Sequence, residues 1–255
     1  MYQEQYEFRI QPRKERPALD FGSRMHELLE WRLRGGDPAM RPPKPEKLSQ
    51  ELEDEAQYTF EAYCQHYPQE LWETLGVEQL LEVPLNEEGD IYVAKMDWIA
   101  RSPEGLRIID HKTEERGGLN NTLQRWQYLT QVSLYQWAAV QVYNEPVYGI
   151  TIDIITRRSP KGQVAPEFSR LDTHRSEAQI QSALGTLRWV ASQIKVLRAS
   201  HGTELWPQNR DNCHKWRMGC EYNLLHGDAG RDEETLRIKY EPAEEYLTGE
   251  VVSKL

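Results

Sequence analysis

The alternation of apolar and polar positions is clearest between Leu80 and Thr113, LLEVPLNEEGDIYVAKMDWIARSPEGLRIIDHKT. Three apolar runs lie in this stretch, separated by turn signals at Asn86 to Asp90 and at Ser102 to Gly105. Their β-branched residues and period-two pattern predict a three-stranded antiparallel meander. Helical spacing surrounds it. Met25, Leu28, Leu29 and Leu33 line one face of a helix predicted over Asp20 to Arg34, with Asp20 as N-cap and Gly35-Gly36 as the stop. A proline-rich connector, Pro38 to Pro45, leads into a second helix over Lys47 to Tyr67, apolar at Leu52, Ala56, Phe60 and Tyr63 and ended by Pro68. After the meander come a polar loop (Glu114 to Asn121), a helix over Thr122 to Tyr143 and a strand over Val147 to Thr156. A helix over Arg175 to Arg198 follows, apolar at Ile180, Leu184, Leu187, Ala191, Ile194 and Leu197. These elements predict an α/β chain with a small mixed sheet flanked by helices. They make one domain over residues 1–226 and an acidic extension over 227–255, whose only strand-like piece is Thr235 to Tyr240.

Polar residues stand in the strands where a core would be apolar. Glu82 lies in the first strand and Asp97 in the second, while Asp110 and Lys112 end the third. Two residues apart, Asp110 and Lys112 point to one face of the sheet. A carboxylate and an amine on one face, next to Asp97 of the neighbouring strand, make a divalent-metal site with a cation beside it. Phosphodiester cleavage asks for such a set. Carboxylate-held Mg²⁺ or Mn²⁺ neutralises charge on phosphorus and activates water, and a lysine orients that water and stabilises developing charge.

Charge adjusts this picture. The 255 residues carry 41 acidic and 31 basic side chains, a net charge of −10. That argues against a generic nucleic-acid coat protein but leaves room for a local basic groove. Arg24, Arg32, Arg34, Arg41, Lys44 and Lys47 form one basic group, and Arg157, Arg158 and Lys161 another. With 28% charged residues and no apolar run of spanning length, the chain is expected to be soluble and free of membranes. The polar start MYQEQYEFRI has no signal-peptide core, and three cysteines, an odd number, point to a reducing, cytoplasmic setting.

Four motifs occur in a fixed order: Gly22-x-x-x-His26 on the first helix, Asp97 on a strand, Asp110-His111-Lys112 on the next strand, and Gln131-x-x-x-Tyr135 on the following helix. Together they resemble the RecB-like branch of the PD-(D/E)XK exonucleases, which includes CRISPR-adaptation nucleases and phage-encoded members. The resemblance runs from about Phe21 to His226 and implies a restriction-endonuclease-like core. It further implies that Asp97, Asp110 and His26 are metal ligands, with the His111 backbone carbonyl as another. Lys112 would position the attacking water, Gln131 and Tyr135 would contact substrate or support the site, and Glu82 would lie in the metal's outer shell. Arg24, Arg125, Arg157 and Arg158 are the candidates for holding the substrate backbone. The polar loop after Lys112, with Gly117-Gly118, is expected to order on substrate. Ala94 departs from the pattern, since many relatives have glycine three residues before the aspartate. The implied activity is a metal-dependent DNA exonuclease using Mg²⁺ or Mn²⁺ in repair, recombination or phage DNA processing. It would work in a bacterial or phage-infected cytoplasm, with DNA and a recombination or helicase protein as partners. The alternative is a catalytically silent nucleic-acid- or partner-binding protein on the same fold. Silent versions usually lose a carboxylate or the lysine, and here all are kept.

Many such relatives hold an iron–sulfur cluster with one cysteine before the histidine helix and three after the core. Here no cysteine precedes His26, and the nearest equivalent set is Cys64, Cys213, Cys220 and His226. That set has the chemistry for zinc or for a cluster with one imidazole ligand. The expectation is a degraded site without iron or zinc, with Trp206, Trp216, Met218 and Tyr222 packing the segment instead.

Overall fold

The computed structural model of the chain describes residues 10–12, 17–37, 40–114, 126, 129–157, 165–200, 239–242 and 251–253. The meander forms as the alternation predicts, from β2 (Glu73–Pro84), β3 (Asp90–Ser102) and β4 (Gly105–Glu114). The first hairpin is held by Asn86, whose side-chain carbonyl accepts the backbone N–H groups of Glu88 and Asp90. Gly89 turns it at φ +90° and Gly105 turns the second hairpin at φ +139°, conformations open to glycine at little cost. β2 starts seven residues before Leu80. Its early part lacks clean alternation, but Val77 still pairs Trp98 and, past an irregularity at Thr74/Gly76, Thr74 pairs Ala100.

β5 (Val147–Thr156) runs parallel to β4, so the chain must cross over between them, and α3 (Thr130–Tyr143) makes the crossing. β6 (Phe168–Thr173) closes the far edge antiparallel to β5. Its sequence, FSRLDT, is half-buried except at the exposed Asp172 and carries no two-residue period, so it is absent from the sequence-based prediction. The order is β2-β3-β4-β5-β6, and β8 (Val251–Ser253) adds to β3 at Asp90 to Tyr92. The fold is the predicted α/β, restriction-endonuclease-like one: a mixed sheet flanked by helices.

α1 (Pro17–Leu33) and α2 (Gln50–His66) pack together, burying Phe21, Met25, Leu28, Leu29, Ala56, Phe60 and Tyr63 with Ile155 of β5. α1 starts three residues before Asp20, with Pro17 in the first helical position, where its missing N–H costs nothing. α2 starts three residues after Lys47 because Ser49 caps it, its hydroxyl accepting the Leu52 N–H at 3.3 Å. Of the predicted start of α3, residues 122–128, only Trp126 is among the described residues. α4 spans Glu177–Ala199.

The chain divides into two compact units, one of residues 17–189 with 247–255 and one of residues 1–16 with 190–246. In the second, β1 (Ile10–Pro12) pairs antiparallel with β7 (Tyr240–Pro242). Among the described residues no helix is long and apolar enough to cross a membrane.

Two arginines expected at the substrate belong to the frame instead. Arg24 is 2% exposed. Its guanidinium forks onto Glu53 with two bonds of 2.8 Å, and it also donates to Glu27 at 2.7 Å and to the Pro42 carbonyl at 2.8 Å. Four of its five N–H donors are thus engaged, and it ties α1 to α2 from a buried position. Arg157 forks onto Glu55 of α2 at 2.7 and 3.1 Å and lies 4.6 Å from the Phe21 ring centre. Arg125, Arg158 and Lys161 lie outside the described residues, as does the polar loop beyond Glu114.

Burial raises the Glu53 carboxyl, but the bonds from Arg24 and Gln57 outweigh it and leave the group below the ordinary carboxylate range. Arg24→Met strands that carboxylate and should lower stability by about 3–5 kcal/mol at neutral pH in urea unfolding. A depressed folded value means the pair's contribution is complete above the unfolded glutamate value of about 4.3 and fades as pH falls through the lower folded value. The gap between Arg24→Met and wild type should therefore narrow in acid.

Candidate active site

The ladder between β3 and β4 runs from Ser102/Gly105 to Trp98/Ile109, and the described pairing stops there. Beyond it β4 stays paired to β5 through Glu114, so its other edge opens. At the opening, the Asp97 carboxylate accepts the backbone N–H of His111 at 2.8 Å. A side chain takes the place of the next strand bond and keeps a buried donor satisfied. Asp97 is thereby fixed beside the end of β4.

β-alternation places Asp110 and Lys112 together, with Lys112 Nζ 2.6 Å from Asp110 Oδ2. It turns the His111 ring to the other face, where it stacks 6.4 Å from Trp98 at 10° between planes. The peptide of His111 stays at the opening. Its carbonyl lies 3.1 Å from His26 Nε2, brought in by α1. The other ring nitrogen of His26 is 3.7 Å from Asp97 Oδ1. Gly22 lies one turn earlier on the same face. A Cβ there would sit 3.0 Å from Thr113 Oγ1, so α1 approaches β4 closely at this point.

The structure adds a residue that the sequence reading passed over. Glu78 lies 3.5 Å from His26 Nδ1 and ion-pairs with Lys95 through its other oxygen. One ligand atom each from His26, Glu78 and Asp97 lie within 4.8 Å of one another. Glu78 adopts φ +50°, a left-handed conformation uncommon for any residue but glycine. Glu82, expected in this neighbourhood, is exposed and pairs with Val93, four residues nearer the hairpin turn. The register sets the two glutamates apart. Pro84 faces Ile91, so counting back along the hairpin places Glu78 level with Asp97.

Gln131 and Tyr135 form a pair on α3. Gln131 Nε2 donates to the Tyr135 hydroxyl at 2.7 Å, and that hydroxyl donates to the Lys95 carbonyl at 2.9 Å. The motif thus latches α3 onto β3 in the stretch that β4 does not pair. Burial, and next the charge of Asp110, push the Tyr135 phenol well above its ordinary range, so it stays a neutral donor. Trp126 is buried, with Lys112 Nζ 4.8 Å from its ring centre and its carbonyl accepting from Arg175 at 2.7 Å.

The charges are strongly coupled. Burial raises the Asp110 carboxyl and Asp97 adds to the rise; Lys112 opposes both without cancelling them. Burial works against charge on Lys112, but Asp110 and Asp97 outweigh it and lift the ammonium above its usual range. The same balance raises His26, where Asp97 and Glu78 overcome burial. Burial raises Glu78, but His26 and Lys95 leave it lowered. Crowded carboxylates therefore gather positive charge from every group that can carry it. The donors are one imidazole, carboxylates and a peptide carbonyl, with no thiolate. This set fits a hard or borderline divalent ion such as Mg²⁺ or Mn²⁺. His26, Glu78 and Asp97, whose ligand atoms lie within 4.8 Å of one another, are the side chains that would hold it, with Asp110 and the His111 carbonyl beside them.

Of the four expected cluster residues only Cys64 is described. It is half-buried against the α1–α2 core and accepts from Arg32 at 3.4 Å; burial outweighs the nearby arginine and raises its thiol. Cys213, Cys220 and His226 lie outside the described residues.

Comparison with known proteins adds three findings. No curated protein sequence matches the chain. A solved structure from Eubacterium rectale named "Putative exonuclease" is similar at 17% identity and a TM-score of 0.49, covering 84% of this chain and 81% of its own. The sequence profile of the PD-(D/E)XK nuclease superfamily matches residues 1–224. That match takes in both helices of the α1–α2 pair, the whole meander and the α3 latch, and on it the chain belongs to the PD-(D/E)XK nuclease superfamily.

Proposed function

We propose that the chain is a divalent-metal-dependent deoxyribonuclease that degrades DNA from its ends. The observation that carries the reading is the convergence of His26, Glu78 and Asp97 with the His111 peptide, next to the paired Asp110 and Lys112. DNA as substrate, and attack at ends, rest on the resemblance of the four motifs to the RecB-like branch.

A bound Mg²⁺ or Mn²⁺ supplies Lewis-acid stabilisation of the phosphoryl oxygens and a water acidic enough to attack at neutral pH. The chain's own groups do the rest. Lys112, held by Asp110 and backed by Trp126, donates to the attacking water or to a non-bridging phosphate oxygen. Asp97 fixes the end of β4 through the His111 N–H. Tyr135 and Gln131 keep β3 in place while its edge is open to substrate. The imidazole of His26 favours Mn²⁺ over Mg²⁺, since nitrogen ligands suit the softer ion.

The direct test uses end-labelled single- and double-stranded DNA with Mg²⁺, Mn²⁺ or chelator. Labelled mononucleotide should appear with Mn²⁺ and be absent with chelator. Asp110→Asn and Lys112→Ala should each slow cleavage by about 10²–10³-fold or more, with circular dichroism unchanged. Near wild-type cleavage by Asp110→Asn contradicts the assignment.

Two glutamates separate the local geometry from the motif alone. Glu78→Gln should weaken Mn²⁺ binding by roughly 10–100-fold in calorimetry, the usual cost of losing a group at or next to a metal. Glu82→Gln should leave the isotherm where it is. The opposite ranking would return Glu82 to the site and remove Glu78.

A further inference from the structure

Behind the candidate metal site a row of polar side chains crosses the sheet. His111 of β4 faces Asp153 of β5, and Asp153 faces Arg170 of β6, each pair in direct register. His111 is 2% exposed, Asp153 0% and Tyr63 of α2 1%. His111 Nδ1 lies 3.1 Å from Asp153 Oδ2, and the Tyr63 hydroxyl donates a short hydrogen bond to the same oxygen. Arg170 donates to the Tyr63 hydroxyl and to Glu70, both at 2.8 Å, and its Nε lies 3.4 Å from Asp153. The Tyr63 hydroxyl and the Arg170 guanidinium both face Asp153 as donors, so the group is held as a carboxylate. A carboxylate only accepts, so His111 presents its Nδ1–H to Asp153.

A buried ionic row is weak evidence for stability, because replacing such a set by apolar residues of similar volume is often neutral or stabilising, and this row is bordered by the apolar α1–α2 core. What the row reaches is distinctive. His111 has its ring on the buried face and its peptide at the site. The peptide N–H is held by Asp97, and its carbonyl faces His26 Nε2 at 3.1 Å. Trp98 stacks on the ring and limits its tilt, while Asp153 limits its rotation.

We propose that Asp153, held by Tyr63 and Arg170, is a positioning residue for metal binding: it locks the His111 ring and so aims the His111 carbonyl at the cation. The proposal rests on the nuclease reading above. Asp153 touches neither metal nor substrate. Its effect passes through the His111 side chain, whose peptide lies at the site and whose ring meets the His26 ring edge-on at 6.1 Å, the kind of support whose loss typically costs roughly 10–100-fold in metal affinity.

The test measures Mn²⁺ binding by calorimetry on the full chain without DNA, alongside thermal unfolding without metal. Wild type should bind, and Asp153→Asn should bind roughly 10–100-fold more weakly while remaining folded. Cleavage by Asp153→Asn should recover as Mn²⁺ is raised, so the loss falls on the metal concentration for half-activity rather than on the rate at saturation. Tyr63→Phe removes one bond to the same carboxylate and no charge; it should shift the isotherm in the same direction by less, and it carries the test if Asp153→Asn does not fold. A wild-type isotherm in Asp153→Asn, or in Tyr63→Phe where that variant carries the test, overturns the proposal and leaves the nuclease reading standing. A wild-type protein that binds no Mn²⁺ overturns both.

Discussion

The hydrogen bond from the His111 N–H to the Asp97 carboxylate is the constraint around which the site is arranged. Two antiparallel strands that paired along their whole length would leave no room for a ligand between them. Here β3 and β4 pair only as far as Trp98 and Ile109. The side chain of Asp97 then takes the donor that the next backbone carbonyl would have taken. One residue both ends the ladder and stands at the opening it creates. The neighbouring latch follows the same logic, because Tyr135 uses a carbonyl on β3 inside the unpaired stretch. Parallel pairing of β4 with β5 keeps the opened strand straight through Glu114.

The two faces of β4 divide the labour. Asp110 and Lys112 point toward the α3 side, where their charges answer each other and those of Asp97 and His26. His111, between them in sequence, points away and is anchored in the row that ends at Arg170. The strand period of two is what lets one tripeptide serve a charged face and a buried anchor at once. Away from the site the ionic pairs are structural: Arg24 with Glu53 and Arg157 with Glu55 join elements of the frame and are engaged with carboxylates on helices.

Much of this was legible in the chain because the informative residues sit at positions fixed by period. Asp110 and Lys112 must share a face if the third apolar run is a strand, and Gly22 and His26 must share a face if the first is a helix. Glu78 is hard to read because the alternation becomes regular only at Leu80; the register places it between Val77, opposite Trp98, and Gln79, opposite Met96, and so level with Asp97. Asp153 was invisible for another reason. Inside VYGITIDIIT it reads as one polar residue in a buried strand, and its partners come from Tyr63 and Arg170, far away in sequence. β6 has no period to read. Arg24 and Arg157 turn to Glu53 and Glu55, which the chain alone does not reveal, because a basic residue next to a motif looks the same in sequence whether it faces a phosphate or a glutamate.

The central claim is that the parted ends of β3 and β4 build one cation site. Anomalous scattering from crystals soaked in Mn²⁺, recorded at wavelengths where manganese scatters anomalously, tests it most directly. One dominant peak is expected, bounded by the His26 imidazole, the Glu78, Asp97 and Asp110 carboxylates and the His111 carbonyl. A peak elsewhere on the chain, or none at a concentration that supports cleavage, would contradict it.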